Sequence, residues 1–281
     1  MSIREEIGRY LLTGEHDSLY RAWQGSSVIE RCRRGHEAIQ RALIAAVRRR
    51  AKQLAQIPEL RDLDTTSFTL GKVEPLVRGL FPPREREPVL DLLAHSVVFL
   101  TPSNIEQVLL NCRWPSTAWN LANLYLASIG AELLSDDAPQ LVGLSEETTC
   151  FVSLAYFTEE DPFADFVVHE AAHIFHNCKR TTAGLPETRR REWLLDIDFR
   201  KRETFAYSCE VYSRIVERGS SPQERVKLSE EYCQERRNLP DERVDANEVT
   251  DIVGAASVAH NGWKVIFARC ASKATRGTPE V

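Results

Sequence analysis

The sequence predicts an α+β fold that is predominantly α-helical, with a small sheet preceded by a helical N-terminal region. Three observations carry this expectation. Across residues 27–54, Val28, Cys32, Ile39, Leu43, Val47 and Leu54 recur at three-, four- and seven-residue intervals, the spacing of one helix face. Leu- and Ala-rich segments over 89–100 and 116–134 repeat that helical texture. A single stretch, TTCFVSLAYF at 148–157, is rich in β-branched and aromatic residues and reads as a strand.

The bulk composition is that of a folded, water-soluble chain. It has 281 residues, 43% hydrophobic and 27% charged, which is long enough for a large core and too apolar for disorder. The first helical segment carries Arg31, Arg33, Arg34, Arg41, Arg48, Arg49, Arg50 and Lys52 against only Glu30 and Glu37. With a net charge of -5 and no interleaved aromatics to stack on bases, this reads as a solvated face balanced by acidic neighbours. Nucleic-acid contact through 31–52 is the alternative.

Arg4, Glu5, Glu6 and Arg9 break any signal-like apolar run, and nowhere do about 18 apolar residues follow one another. The expectation is therefore a cytoplasmic protein with no membrane partner. Seven cysteines, an odd number without a C-x-x-C pair, argue against both a disulfide framework and a cysteine-rich zinc finger. They read as buried reduced thiols.

Punctuation divides the chain. Pro58 and the polar residues to Ser67 read as a connection, and Phe81-Pro82-Pro83 with the charged run to Pro88 as a second break. Ser116 reads as an N-cap. Ser135-Asp136-Asp137-Ala138-Pro139 marks the main boundary, giving a helical N-terminal region at 1–139 and a second domain at 140–281. The residues from Ser272 onward are expected to be loose.

After the predicted strand, Asp161 reads as an N-cap and Pro162 as the first residue of a helix running to about Asn177. That helix contains His169-Glu170-Ala171-Ala172-His173, an H-E-x-x-H motif. Residues four apart share a helix face, so both imidazoles can reach one ion. Glu170 is rotated about 100 degrees from His169 and stands beside the ion, where a base takes a proton from water whose pKa zinc lowers to near 7. The apolar residues around the motif argue against two incidental surface histidines.

A third ligand must come from elsewhere. His176 and Lys179 stand where the metzincin pattern needs glycine and histidine, and the His176 ring is turned about 60 degrees from His173, so it reads as supporting or structural. Residues 201–218 form another helical pattern whose second face, with Glu203, Tyr207, Glu210 and Arg214, offers a carboxylate. Glu203 and Glu210 lie seven residues apart on that face, so spacing alone leaves both open.

With Glu203-Thr204-Phe205-Ala206-Tyr207 after the H-E-x-x-H motif, the chain resembles the gluzincins, the zinc peptidases that include thermolysin and the aminopeptidase N group. The likeness covers about 148–218. It implies a zincin-like catalytic core in 140–281, zinc held by His169, His173 and Glu203, Glu170 as general base, and a peptide or protein substrate. It also implies an edge strand that pairs with substrate just before the metal helix, the place of FVSLAYF. In such enzymes a donor remote from the motif stabilises the oxyanion; His260, 57 residues beyond Glu203, fits the order, with Tyr207 competing. Two features depart from the pattern: 29 residues separate His173 from Glu203, and Tyr207 stands where thermolysin-like enzymes have an aspartate bracing a zinc histidine. No Gly-x-Met-Glu-Asn-like element is present to anchor a substrate amine, which favours an endopeptidase. The alternative is a binding or regulatory protein that retains the metal domain without turnover.

Overall fold

The computed structural model describes residues 1–52, 63–188, 191–234, 239, 241 and 243–272. In chain order their elements are α1 (Ile3–Thr13), α2 (Val28–Ala51), α3 (Thr65–Leu80), α4 (Pro83–Ala94), β1 (Val97–Phe99), α5 (Ile105–Asn111), α6 (Pro115–Ser128), β2 (Gly143–Glu146), β3 (Thr149–Val152), α7 (Phe166–Asn177), α8 (Arg202–Arg218), α9 (Pro222–Gln234), α10 (Ala246–Val258) and α11 (Gly262–Cys270). The fold is α+β and mostly helical, with one small sheet, as expected. Among the described residues no helix is long and apolar enough to cross a membrane.

The chain forms two compact units: Met1–Asp62 with Phe99–Leu144 and Ser153–Thr158, and Leu63–Val98 with Ser145–Val152 and Glu159–Val281. This differs from a single cut at 139. The reason is α3, which packs on α4, α7, α8 and α11 and so joins the unit that carries the H-E-x-x-H helix.

In the first unit, Ser27 caps α2 by accepting from the Glu30 N–H, and Ile39, Leu43 and Val47 turn the helix onto α1, α5 and α6. The arginines of its other face meet acids: Arg34 pairs with Glu30, Arg33 and Arg41 with Glu37, and Arg48 with Glu106. A Cβ at Gly35 would lie 2.1 Å from the Tyr20 ring, so only glycine lets α2 approach there. Helix α6 begins one residue earlier than Ser116, with Pro115 in its first turn, where a missing N–H costs nothing. It ends at Ser128, short of 134, because Gly130 takes a left-handed conformation, φ 70°. Position 54, the start of the predicted connection at 58–62 and the tail beyond 272 lie outside the described residues; the end of that connection is helical, since α3 begins at Thr65.

In the second unit the run 83–88 is not a break. Pro83 opens α4, where a missing N–H costs nothing, and the charged residues after it continue the helix, with Pro88 inside it. Glu85 in that first turn enters a buried ion pair with Arg180 at 2.9 Å, side chains 5% and 1% exposed, and also meets Arg191 at 3.2 Å. Arg180 belongs to the 3-10 turn after α7, so the pair ties down the long loop toward α8. Glu85→Gln leaves the Arg180 charge buried with weaker compensation. The expected loss is about 3–5 kcal/mol, read from urea unfolding.

Two local expectations are corrected. The predicted strand at 148–157 stops at Val152, and Leu154–Thr158 is a 3-10 helix. The sheet order is β1-β3-β2, so β3 is central and not the edge strand. Helix α7 begins at Phe166, where Asp165 accepts from the Val168 N–H; Asp161 instead accepts from the Phe163 N–H in a turn before it. None of the seven cysteines forms a disulfide, and Cys112, Cys150, Cys178, Cys209 and Cys270 are buried.

Candidate metal centre

Helix α7 is buried from Phe166 to His176, so its polar residues must find partners inside the protein. One turn apart, His169 and His173 bring their ring centroids to 5.1 Å. Helix α8 packs against α7 and presents Glu203 from its first turn. Glu203 Oε2 lies 3.6 Å from His169 Nε2 and 3.5 Å from His173 Nε2. One donor atom from each of the three residues falls within 4.8 Å of the others, a group that could hold a metal ion.

Both imidazoles are turned by what their other nitrogen meets. His169 Nδ1 lies 2.9 Å from Glu210 Oε2 and donates to it, which turns Nε2 toward Glu203. Glu210 therefore sits on the far side of the His169 ring from Glu203. It braces the histidine, and its other oxygen accepts from the Asp165 N–H at 2.9 Å. His173 Nδ1 lies 3.4 Å from His176 Nε2. Burial, with His173 and Arg202 nearby, lowers the His176 pKa to about 3, so its ring is neutral and one of its nitrogens is free to accept. His176 thus supports His173, the supporting place that the helix geometry suggests.

Glu170 is 5% exposed and stands beside the pair. Its largest influence, burial, raises its pKa, while the Ser145 hydroxyl of β2 donates toward it. Burial alone would lower the His169 pKa, yet the Glu203 and Glu210 carboxylates outweigh it and lift it to about 10. Burial raises Glu203 too, but hydrogen bonds from the two histidines hold its carboxyl well below the usual range. In the metal-free protein, His169 is consequently protonated at neutral pH. Loading zinc at pH 7.5 is expected to release about one proton from it, read by calorimetry in buffers of different ionisation enthalpy; no dependence on buffer would contradict this.

Tyr207, the competing donor, lies beside the group: its ring is 4.6 Å from that of His169, and burial raises its hydroxyl pKa. His260 does not reach it. It is exposed in the link between α10 and α11, next to Asn261, which donates to Gly79, and Gly262, which packs on Tyr212. Tyr212 is nine residues, about 13 Å, along α8 from Glu203. The order of residues in the chain fitted, but the α10–α11 link falls at the wrong level of α8.

Between α7 and α8 the described residues, 178–188 and 191–201, are fixed by backbone hydrogen bonds. Leu194 N–H donates to Cys178 at 3.0 Å, Leu195 N–H to Phe175 at 2.8 Å, and Asp198 N–H to Cys270 at 2.9 Å. The brace absent at position 207 is supplied from position 210. That carboxylate shares the Glu203 face at a seven-residue interval, a signal present in the sequence; the contribution of Ser145 carried no such signal.

No protein-family model, curated protein or solved structure matches this chain. Geometry gives the two glutamates different expected effects. Glu210→Gln, which loses a brace, should weaken zinc binding about 10- to 100-fold, and Glu203→Gln, which loses a candidate ligand, should weaken it further. A larger loss at Glu210 in a chelator competition would reverse the assignment.

Proposed function

We propose that the protein is a zinc-dependent peptidase of the gluzincin type, with His169, His173 and Glu203 as metal ligands and Glu170 as general base. The observation that carries this is the convergence of two Nε2 atoms and one carboxylate, with Glu170 buried alongside. The donor set fits zinc: two imidazoles and one carboxylate suit an ion with an open fourth position, and spacings of 3.5 and 3.6 Å are close to the tetrahedral edge of about 3.3 Å for ligands at zinc distance.

Zinc bound there would supply Lewis acidity, polarising a scissile carbonyl and lowering the pKa of water. The protein's residues do the rest. Glu170 takes the proton from the attacking water and passes it to the leaving amine, a task for which its raised pKa suits it. Ser145 holds one side of that carboxylate. Tyr207 donates to the developing oxyanion, where removing such a donor typically costs about 10²–10³ in rate. Peptide adds as a strand along β2, the edge of the sheet beside Glu170. The sequence holds no Gly-x-Met-Glu-Asn-like element to anchor a substrate amine, so the reading is an endopeptidase. Seven cysteines without a disulfide suit the reducing cytoplasm.

The test pairs elemental analysis of the purified full-length chain with hydrolysis of a library of unfolded peptides, before and after chelation. One zinc per chain with chelator-sensitive cleavage supports the proposal. Zinc without cleavage of any library member would favour the binding or regulatory reading instead.

A further inference from the structure

Two carboxylates stand buried side by side behind the metal helix. Asp165 is fully buried and Glu210 is 6% exposed, and the Asp165 N–H donates to Glu210 Oε1 at 2.9 Å. Carboxylates taken out of water need a countercharge close by. Lys72 on α3 provides it: its Nζ lies 3.0 Å from Asp165 Oδ2, with the side chain 14% exposed. Glu217 on α8, half-exposed, lies 3.1 Å from the same ammonium and holds it in place.

Asp165 is tied to the metal helix twice more. Its Oδ1 accepts from the Val168 N–H at 3.3 Å, and its carbonyl accepts from the His169 N–H at 2.9 Å. Contacts therefore run without a gap from Lys72 through Asp165 and Glu210 to His169 Nδ1.

We propose that Lys72 is a positioning residue of the metal centre: through Asp165 and Glu210 it holds the His169 ring so that Nε2 faces the metal. This rests on the reading of His169, His173 and Glu203 as ligands, and is independent of whether the protein cleaves peptides. Without the ammonium, two buried like charges repel across the first turn of α7, and the capping carboxylate and the brace on His169 lose their shared geometry. Restoring a cation, or removing one of the two negative charges, restores it.

The experiment titrates cobalt(II) alone into metal-free full-length protein, reading the visible d–d spectrum, and measures zinc affinity against a chromophoric chelator. Lys72→Met should weaken zinc binding about 10-fold or more and alter the cobalt spectrum. Lys72→Arg should recover most of the loss. Lys72→Met combined with Asp165→Asn should bind closer to wild type than Lys72→Met alone, which a merely structural lysine would not produce. This double variant carries the comparison with wild type should Lys72→Met not fold. Arg78→Gln, which removes an exposed cation from the same helix, should stay within about twofold of wild type. Wild-type affinity and spectrum in Lys72→Met, or an equal loss in Arg78→Gln, would overturn the proposal. A wild-type protein that binds no cobalt, or binds it equally well with His169→Ala, would overturn the ligand reading beneath it.

Discussion

Glu170→Gln is expected to keep the metal and the fold while hydrolysis falls by about 10²–10⁴, the usual contribution of a positioned general base. An amide has nearly the shape of the carboxylate and still accepts from the Ser145 hydroxyl, but it cannot take a proton from water. Glu170 is 5% exposed and burial already raises its pKa, so exchanging it for a neutral group also relieves a buried charge. The melting temperature should therefore stay level or rise as activity disappears. Zinc content, thermal melting and cleavage rate on one preparation decide the matter; full zinc with cleavage within about threefold of wild type would remove Glu170 as the base.

His169→Ala and His173→Ala are each expected to reduce bound zinc from one per chain to none after dialysis. A catalytic zinc site has about three protein ligands, and losing one leaves too few donors to hold the ion against solvent. The two substitutions differ in what they leave behind. His169→Ala strands Glu210, a buried carboxylate whose acceptor oxygen loses its donor, whereas His173→Ala strands the neutral ring of His176. The metal-free His169→Ala protein should be the less stable of the two, because an uncompensated buried charge costs more than an unpaired imidazole. Elemental analysis showing a full zinc in either variant would contradict the ligand assignment.

The helices of this chain were legible where an apolar period repeats. Ile39, Leu43 and Val47 of α2 show this, as do Phe205, Cys209 and Tyr212 of α8, which no side chain caps. Helix α3 was not legible, because Gly71 and Pro75 interrupt its pattern and its burial depends on four partner helices. The strand was overextended for a related reason. Its β-branched and aromatic residues continue past Val152, but chain pairing ends and the 3-10 turn takes over.

What the sequence determined by itself was chemistry tied to one helix: the four-residue interval of His169 and His173 and the neighbouring Glu170 follow from 3.6 residues per turn. Tertiary structure decided whatever depended on a second element. It put Glu203 against the Nε2 atoms and Glu210 against Nδ1, although the two carboxylates lie on one face of α8. It left His260 at another level of that helix and brought Lys72 from α3 to the cap of α7. Helical spacing is set locally by the backbone, whereas the depth at which one helix meets another is set by side-chain packing over long separations in the chain.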